Sequence, residues 1–294
     1  PDIVLSFLIN SNVISLLSKK IFNLKSPLLT GARNRIVNEI GTLPFPILYE
    51  FILKKIYLYS DRYIAVTDDE AVEAASVFKI PQKNIVLIYN GVDIEYVRNK
   101  SLEKFSMDQK FKNKNSFNII HLGRLTYVKN QSLLIKAISK LNLKKEINLF
   151  LLGEGENFNK LKKLSLKLDV EDKVTFLGWH ENPYPYIKQC DLLVLTSFWE
   201  GFPNVLLEGM ALGLPIISTK SSKAVDLIID DQKCGFLIEN DLDSLVNAIQ
   251  ILVNDQELYR KMSYHSFEKV NEFSSETMLN NFKTTLQEVY LRKA

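Results

Sequence analysis

Residues 196–219 read TSFWEGFPNVLLEGMALGLPIIST, and this stretch decides the fold class. Apolar runs at residues 192–197 and 215–219 predict two buried strands of a parallel sheet, with a turn and a helix between them. Two carboxylates, Glu200 and Glu208, interrupt the apolar pattern. Ligands of such sheets bind at the carboxyl ends of the strands, which is where Glu200 falls. The stretch therefore predicts a Rossmann-like fold together with a ligand site.

The same alternation of apolar strands and amphipathic helices extends along the rest of the chain. Further strands are predicted at residues 3–7, 63–67, 85–89, 117–122, 147–152, 173–177 and 235–239, with a weaker candidate at 28–30. Helices are predicted at residues 13–21, 46–59, 69–78, 131–141, 158–168, 204–212 and 242–253, and charged helical segments from residue 256 to the end. The pattern predicts an α/β fold with two Rossmann-like domains.

Composition divides the chain into four parts. Residues 1–98 form a first Rossmann-like domain, and the Lys- and Asn-rich residues 99–115 form a linker. Residues 116–270 form a complete second domain with six strands, and residues 271–294 form a helix that returns to the first domain. The chain opens on Pro1, and only about four strands precede the linker. We therefore expect the first domain to be incomplete, with its beginning upstream.

The bulk composition limits the partners. The 294 residues are 46% hydrophobic and 24% charged, which is typical of a soluble globular protein. The net charge of +3 comes from 37 basic and 34 acidic side chains, which is too balanced to indicate nucleic acid as a partner. Two distant cysteines form no disulfide framework, which fits a reducing cytoplasm. Lysines crowd at residues 98–115 and 159–169, as solvated faces or as contacts with an anionic membrane surface.

The helix predicted from residue 46 is very apolar for a protein surface. Glu50, Lys54 and Lys55 give it one polar side. This pattern favours packing on the sheet over insertion in lipid.

Two loops at predicted strand ends carry residues suited to a phosphate ligand. Gly123, Arg124 and Lys129 follow one strand, where a glycine admits a close ligand and the cations can hold a diphosphate. Gly153 begins the next loop, but Phe158 occupies the third glycine position of a dinucleotide fingerprint. Plain strand–helix loops with surface cations remain the alternative.

The helix predicted at residues 204–212 offers its N-terminus to the same edge. Pro203 suits a first helical turn, and the free N–H groups that follow attract phosphate. Glu208, further along that helix, can accept hydrogen bonds from a ribose diol, and Glu200 can meet sugar hydroxyls. The alternative is that both are ordinary loop and helix residues, but their apolar neighbours argue against it.

Five segments resemble one family in its order: IYNGVD, HLGRLTYVKNQSLLIKA, LLGEGE, FLGWHENPYPYIKQCDLLVLTS, and the E-x7-E segment quoted first. That family is the retaining family-4 glycosyltransferases, also called glycosyl transferases group 1, which have the GT-B fold. The resemblance covers about residues 63–240. It implies two Rossmann-like domains facing a cleft, and sugar transfer from a nucleotide-sugar to an acceptor hydroxyl.

The resemblance also implies roles for individual residues. Arg124 and Lys129 would neutralise the leaving diphosphate, Glu200 would contact the donor sugar, and Glu208 would contact the ribose. The remaining donor-binding positions are Gly123, Gly153, Gly178, Gly201, Phe202, Pro203, Asn204 and Val205. No cofactor and no metal are expected, since cations and a helix N-terminus stabilise the leaving group.

The partners implied are a nucleotide-sugar donor, with UDP preferred to GDP, and a glycan or lipid-linked glycan acceptor. The enzyme would work in the cytoplasm, at the inner face of the cytoplasmic membrane without spanning it, in bacterial surface polysaccharide, lipopolysaccharide or capsule synthesis. Three readings compete with it: an inactive nucleotide-sugar binding module, a GT-B sugar-nucleotide epimerase, and a Rossmann oxidoreductase. The missing dinucleotide fingerprint argues against the oxidoreductase.

The chain departs from the family pattern on the acceptor side. The family's catalytic histidine and first glycine loop have no match here, and we expect them upstream of Pro1. TGARN at residues 30–34 resembles an S-E-R-N segment of polysaccharide-building members, with Ala32 in place of the acidic residue. After the strand at residues 215–219, Asp226 occupies the position where those members have a glutamate.

Overall fold

A computed structural model describes residues 1–32, 45–105, 111, 113 and 115–291. Within these residues the chain forms two parallel β-sheets with helices packed around them. The strands are β1 (Val4–Phe7), β2 (Leu28–Gly31), β3 (Arg62–Ala65), β4 (Ile85–Leu87), β5 (Ser116–Leu122), β6 (Glu146–Leu152), β7 (Val174–Gly178), β8 (Leu192–Leu195), β9 (Ile216–Thr219) and β10 (Gly235–Ile238).

Helices connect the strands and continue to the end of the described chain. They are α1 (Ile9–Ile21), α2 (Pro46–Ile56), α3 (Asp68–Val77), α4 (Ile94–Lys100), α5 (Gln131–Lys140), α6 (Phe158–Lys167), α7 (Tyr184–Lys188), α8 (Asn204–Ala211), α9 (Lys223–Ile229), α10 (Leu242–Asn254), α11 (Gln256–Lys269) and α12 (Ser275–Leu291). Short 3₁₀ turns lie at Tyr57–Tyr59, Gln82–Asn84 and Val270–Phe273.

The second sheet has the strand order β10-β9-β8-β5-β6-β7, and every pairing in it is parallel. All seven residues of β5 are buried, as expected for a central strand covered by helices on both faces. Two apolar clusters fill the two sides: Ile120 and Leu122 belong to one, and Phe117 and Ile119 to the other. The strand order reverses between β8 and β5, which is where a doubly wound sheet opens a ligand crevice.

The first sheet has the order β1-β2-β3-β4, also parallel throughout. One face is covered by α1 to α3 through a cluster that includes Leu16, Leu53 and Phe78. The other face is covered by α12, whose Val289 packs with Ile64 of β3. The last helix of the chain thus lies on the first sheet.

Two crossing segments join the sheets side by side. The Val92 N–H donates to the Phe273 carbonyl oxygen at 2.9 Å, and the Ser275 N–H donates to the Val92 carbonyl oxygen at 2.9 Å. A Cβ on Gly91 would lie 2.7 Å from the Ser274 carbonyl oxygen, so the segments are in close contact. Two adjacent crossings of this kind are suited to act as a hinge.

The structure differs from the sequence prediction at several element ends. Helix α4 packs on the second sheet's helices through the buried Val97, so residues 94–98 lie against the second body rather than the first, and the predicted linker 99–115 begins inside a helix. Residues 106–110, 112 and 114 of that linker, and Arg33 and Asn34 of TGARN, lie outside the described residues. Helices α4, α7 and α9 were not predicted, since five to seven residues give too little periodicity.

Candidate functional site

Three glycines lie together at the carboxyl edge of the second sheet. The Gly153 N–H donates to the Gly178 carbonyl oxygen at 2.8 Å, and the Gly123 N–H donates to the Leu152 carbonyl oxygen at 3.0 Å. A Cβ on Gly153, whose φ is +140°, would lie 2.2 Å from the Gly123 carbonyl oxygen. Only glycine fits this approach without a shift of the backbone. The three predicted pocket glycines therefore form one continuous backbone edge.

A lysine–glutamate ion pair lies at the same edge. Lys129 follows β5 and Glu200 follows β8, and the Lys129 Nζ lies 2.6 Å from the Glu200 Oε1. The Ser197 Oγ donates to the same carboxylate oxygen. The side chains of Lys129 and Glu200 are only 21% and 11% exposed, so solvent screens this pair less than a surface pair. The Glu200 Oε2 accepts no hydrogen bond from the described residues, and it remains open to a ligand hydroxyl.

The turn that carries Glu200 is fixed by the segment after β9. The Glu200 N–H donates to the Ser221 carbonyl oxygen at 3.1 Å. The Ser222 Oγ donates to the Gly201 carbonyl oxygen at 3.0 Å. Two loops that are remote in sequence thus hold the carboxylate in one place.

Helix α8 starts directly after this turn. Phe202 and Pro203 are buried, Asn204 is exposed, and Val205 is half-buried. Pro203 is the residue before the helix, not part of its first turn as predicted, because its ψ of 86° is not helical. The first N–H groups of a helix have no intrahelical partner and favour anions. Helix α8 therefore presents an anion-binding end next to Glu200.

Glu208 lies one turn further along α8. Its side chain is largely buried, and no hydrogen bond or ion pair to it exists among the described residues. Burial raises the pKa of Glu208. Burial, with the charge of Glu208 as the second cause, also raises the pKa of Tyr184 to about 12. A desolvated carboxylate without a partner is costly to the fold, and such groups concentrate at ligand sites.

Further unpaired polar atoms lie beneath this edge. Both ring nitrogens of His121, the Oε1 of Gln131 and the Oγ of Ser221 are buried without a hydrogen-bond partner in the described structure. Burial, followed by the charge of Lys129, lowers the pKa of His121 to about 3, so the ring is neutral. The His121 Cε1 lies 3.8 Å from where a Cβ of Gly123 would stand. Nothing in the sequence signals that His121 lies this close to Gly123.

Arg124 makes fewer side-chain contacts than Lys129 and Glu200. Its side chain is exposed, and the described residues provide no hydrogen bond or ion pair to its guanidinium. Its carbonyl oxygen accepts a hydrogen bond from the Gln131 Nε2 at 2.9 Å, which fixes the backbone of the loop. The structure thus joins Lys129 to Glu200 directly but shows no contact of Arg124 with either residue within its described part.

Side chains of the first body reach the second across the cleft. The Asn90 Nδ2 donates to the Asn204 Oδ1 at 3.1 Å, at the start of α8. The Asp69 Oδ2 accepts from the backbone N–H of Lys223 at 2.9 Å, at the start of α9. Both contacts lie at the edge that carries Glu200, so domain motion would act directly on the candidate site.

His180 lies in the loop after β7. The His180 Nε2 lies 3.1 Å from the Leu177 carbonyl oxygen, and its ring packs on Tyr186 with centroids 4.5 Å apart. Within the described part of the chain, no group of three or more His, Cys, Asp or Glu residues could hold a metal ion. Chemistry without a metal remains a prediction.

Two models of known protein families match this chain. The model of the family described as "Glycosyl transferases group 1" matches residues 103–269, and that of "Glycosyltransferase Family 4" matches residues 1–96. The chain belongs to the glycosyl transferases group 1 family. The resemblance found in the sequence is confirmed.

Two curated relatives are similar to this chain over most of its length. One is the N-acetylgalactosamine-N,N'-diacetylbacillosaminyl-diphospho-undecaprenol 4-alpha-N-acetylgalactosaminyltransferase of Campylobacter jejuni, 30% identical over 71% of this chain and 55% of the relative. The other is the UDP-Gal:alpha-D-GlcNAc-diphosphoundecaprenol alpha-1,3-galactosyltransferase of Escherichia coli, 30% identical over 77% of this chain and 59% of the relative. The chain thus spans just over half the length of these relatives.

Solved structures confirm the GT-B fold. A crystal structure of Anabaena Alr3699/HepE in complex with UDP is similar with a TM-score of 0.83 and 20% identity, over 97% of this chain and 79% of that chain. The expectation of two Rossmann-like bodies in the GT-B class is therefore correct. None of the described helices is both long and apolar enough to cross a bilayer.

Proposed function

We propose that this glycosyltransferase moves a sugar from a UDP-sugar to the hydroxyl of a lipid-linked glycan, with retention of the anomeric configuration. The observation that carries the proposal is the Lys129–Glu200 pair, at 2.6 Å, set between the glycine edge and the start of α8. A cation and a helix N-terminus favour a diphosphate, and a carboxylate can accept hydrogen bonds from the hydroxyls of the sugar.

In the proposed complex the nucleoside diphosphate lies along the carboxyl edge of the second sheet. The Gly123–Gly153–Gly178 backbone lets the nucleotide approach closely, and the diphosphate meets the start of α8 and Lys129. Glu208 accepts hydrogen bonds from the ribose diol, which would give its unpaired carboxylate two donors. Arg124, whose side chain is exposed, completes the set of cations on the diphosphate.

The proposed reaction breaks the bond between the anomeric carbon and the diphosphate oxygen, and it forms a bond to the acceptor oxygen. The electron pair of the broken bond stays on the departing diphosphate oxygen, and the acceptor hydroxyl gives its proton to that diphosphate as the new bond forms. Lys129, Arg124 and the helix N-terminus stabilise that charge. Glu200 keeps Lys129 in place through Oε1 and offers Oε2 to a hydroxyl of the donor sugar. In the proposed reaction the two cations and the helix N-terminus stabilise the leaving group without a metal ion.

The relatives support the proposed substrates. The names of the Campylobacter jejuni and Escherichia coli relatives specify diphospho-undecaprenol acceptors, and the second specifies UDP-Gal. By extension, we propose a lipid-linked acceptor, a hexose or N-acetylhexosamine donor, and work at the inner face of the cytoplasmic membrane in surface polysaccharide or lipopolysaccharide assembly.

The test incubates the protein with a panel of UDP-sugars and an undecaprenyl-diphosphate-linked sugar. Turnover is measured as the release of UDP. Acceptor-dependent UDP release that Glu200→Gln abolishes would support the proposal. UDP binding without turnover would favour a binding module, and conversion of the donor without acceptor would favour an epimerase. NMR of the product's anomeric signal would decide between retention and inversion.

A further inference from the structure

Helix α2 presents an apolar side to the surface. Leu53 and Ile56 are buried, but Ile47 is 85% exposed, and Leu48 and Phe51 are each 56% exposed. The sequence interpretation, in which the polar side of this helix faces water and the apolar side packs on the sheet, is therefore incomplete. A surface helix normally has polar residues at such positions.

The neighbouring helix α1 also carries exposed apolar side chains. Helices α1 and α2 pack against each other, and Ile14, Ile21 and Phe22 on and after α1 are between 67% and 71% exposed. Soluble monomers rarely expose large apolar patches unless the patches contact a partner. We call this set the apolar face; its members are Ile14, Ile21, Phe22, Phe45, Ile47, Leu48, Phe51 and Leu58.

Lysines border the apolar face. The Lys20 Nζ lies 5.2 Å from the centre of the Tyr59 ring, and the Lys55 Nζ lies 4.4 Å from the centre of the Phe51 ring. Both lysines are exposed, and each ammonium group lies beside an aromatic ring of this surface. Among the described residues of α2 and the following turn, Glu50 is paired with Lys54 and Asp61 with Lys19. The border is thus positively charged around an apolar centre.

We infer that the apolar face docks this protein on an anionic lipid bilayer, with Ile47 and Phe51 inserted and Lys20 and Lys55 on the headgroups. An apolar side with a lysine border is the pattern that binds to a membrane interface without crossing it. A second copy is a poorer match, because a two-fold contact would bring lysine borders together. The inference deepens the proposed function, since a lipid-linked acceptor is reached from that bilayer, but the docking itself requires neither donor nor acceptor.

The test is co-sedimentation of the whole chain with sucrose-loaded vesicles of phosphatidylcholine, with and without phosphatidylglycerol. Ile47→Glu/Phe51→Glu should weaken binding to anionic vesicles roughly tenfold or more, because two inserted side chains become charged. The matched control is Leu166→Glu/Tyr264→Glu, which changes two side chains of the second body that are 55% and 63% exposed. The control should bind as the unaltered chain does, and circular dichroism confirms that both variants fold.

Substitution of the bordering lysines tests the contribution of their charge to vesicle binding. Each of Lys20→Gln and Lys55→Gln should weaken binding to anionic vesicles by about fivefold, with no effect on the weak binding to neutral vesicles. Equal binding by the chain and Ile47→Glu/Phe51→Glu would overturn the inference. The inference would also be overturned if the unaltered chain did not bind vesicles but formed a dimer in gel filtration, and if Ile47→Glu/Phe51→Glu abolished that dimer. A parallel UDP titration separates the proposals, because failure at the apolar face should leave UDP binding unchanged.

Discussion

Replacement of Glu208 with Gln should have opposite effects on nucleotide binding and on stability. The carboxylate is largely buried without a partner among the described residues, so a ribose diol would donate to it two charge-assisted hydrogen bonds. The amide keeps one acceptor oxygen and no charge. A hydrogen bond to a charged group contributes about 1.5–3 kcal/mol, so we expect the Kd for UDP to rise roughly 10- to 150-fold.

Stability without nucleotide should change in the other direction. Because burial raises the pKa of Glu208, the folded state disfavours its charged form relative to the unfolded state. At pH 8 the Gln variant should therefore be at least as stable as the unaltered chain. The difference should shrink as the pH falls toward about 4.3, where an ordinary Glu becomes protonated.

The assay combines urea unfolding at pH 8 and pH 5 with UDP titration at pH 8. Glu171→Gln is the control. Glu171 is exposed and lies before the amino end of β7, whereas Glu208 lies near the carboxyl ends of the strands. A Glu208→Gln chain that unfolds more easily at pH 8 and binds UDP as tightly as before would refute the reasoning, because the carboxylate would then be structural.

Three further predictions address the site and the first body. Glu200→Gln removes the charge paired with Lys129, so kcat should fall by roughly 10²- to 10³-fold with a much smaller change in UDP affinity; steady-state kinetics that show equal losses in both would contradict the assignment. Gly153→Ala places a Cβ 2.2 Å from a carbonyl oxygen, and urea unfolding should show a loss of about 1–3 kcal/mol, together with weaker UDP binding. Burial raises the pKa of Glu70 from 4.5 to about 7. The free energy of unfolding should therefore fall as the pH rises across that window and level off above it, and Glu70→Gln should remove this slope, as urea titrations at several pH values would show.

Much of the fold follows from the sequence because parallel strands are short, apolar and bounded by turns. All six strands of the second sheet were predicted to within about two residues of their ends, and β2 was found from only three residues, LLT. What escaped prediction lies where a pattern is too short or a contact too distant. Helix α9 has seven residues and no clear period. The predicted end of β8 was two residues too late: the strand ends at Leu195, and the side-chain hydroxyl of Thr196 lies 3.0 Å from the Lys129 and Asn130 carbonyl oxygens.

The candidate site was predictable as a list of residues but not as an arrangement. Lys129 and Glu200 are 71 positions apart, and no local pattern indicates that they form an ion pair. The unpaired state of His121 depends on the layers above and below β5, which periodicity does not report. The exposed side of α2 also depends on packing, because Leu53 and Ile56 are buried while Ile47 and Phe51 of the same helix are exposed.

The central claim is that the carboxyl edge of the second sheet binds the nucleotide of a UDP-sugar. Calorimetric titration of this chain with UDP, GDP, ADP and NADH, one after another, tests it most directly. The account predicts selective binding of UDP at a single site. No binding of UDP by a chain shown to be folded, or binding of NADH in preference to UDP, would contradict it.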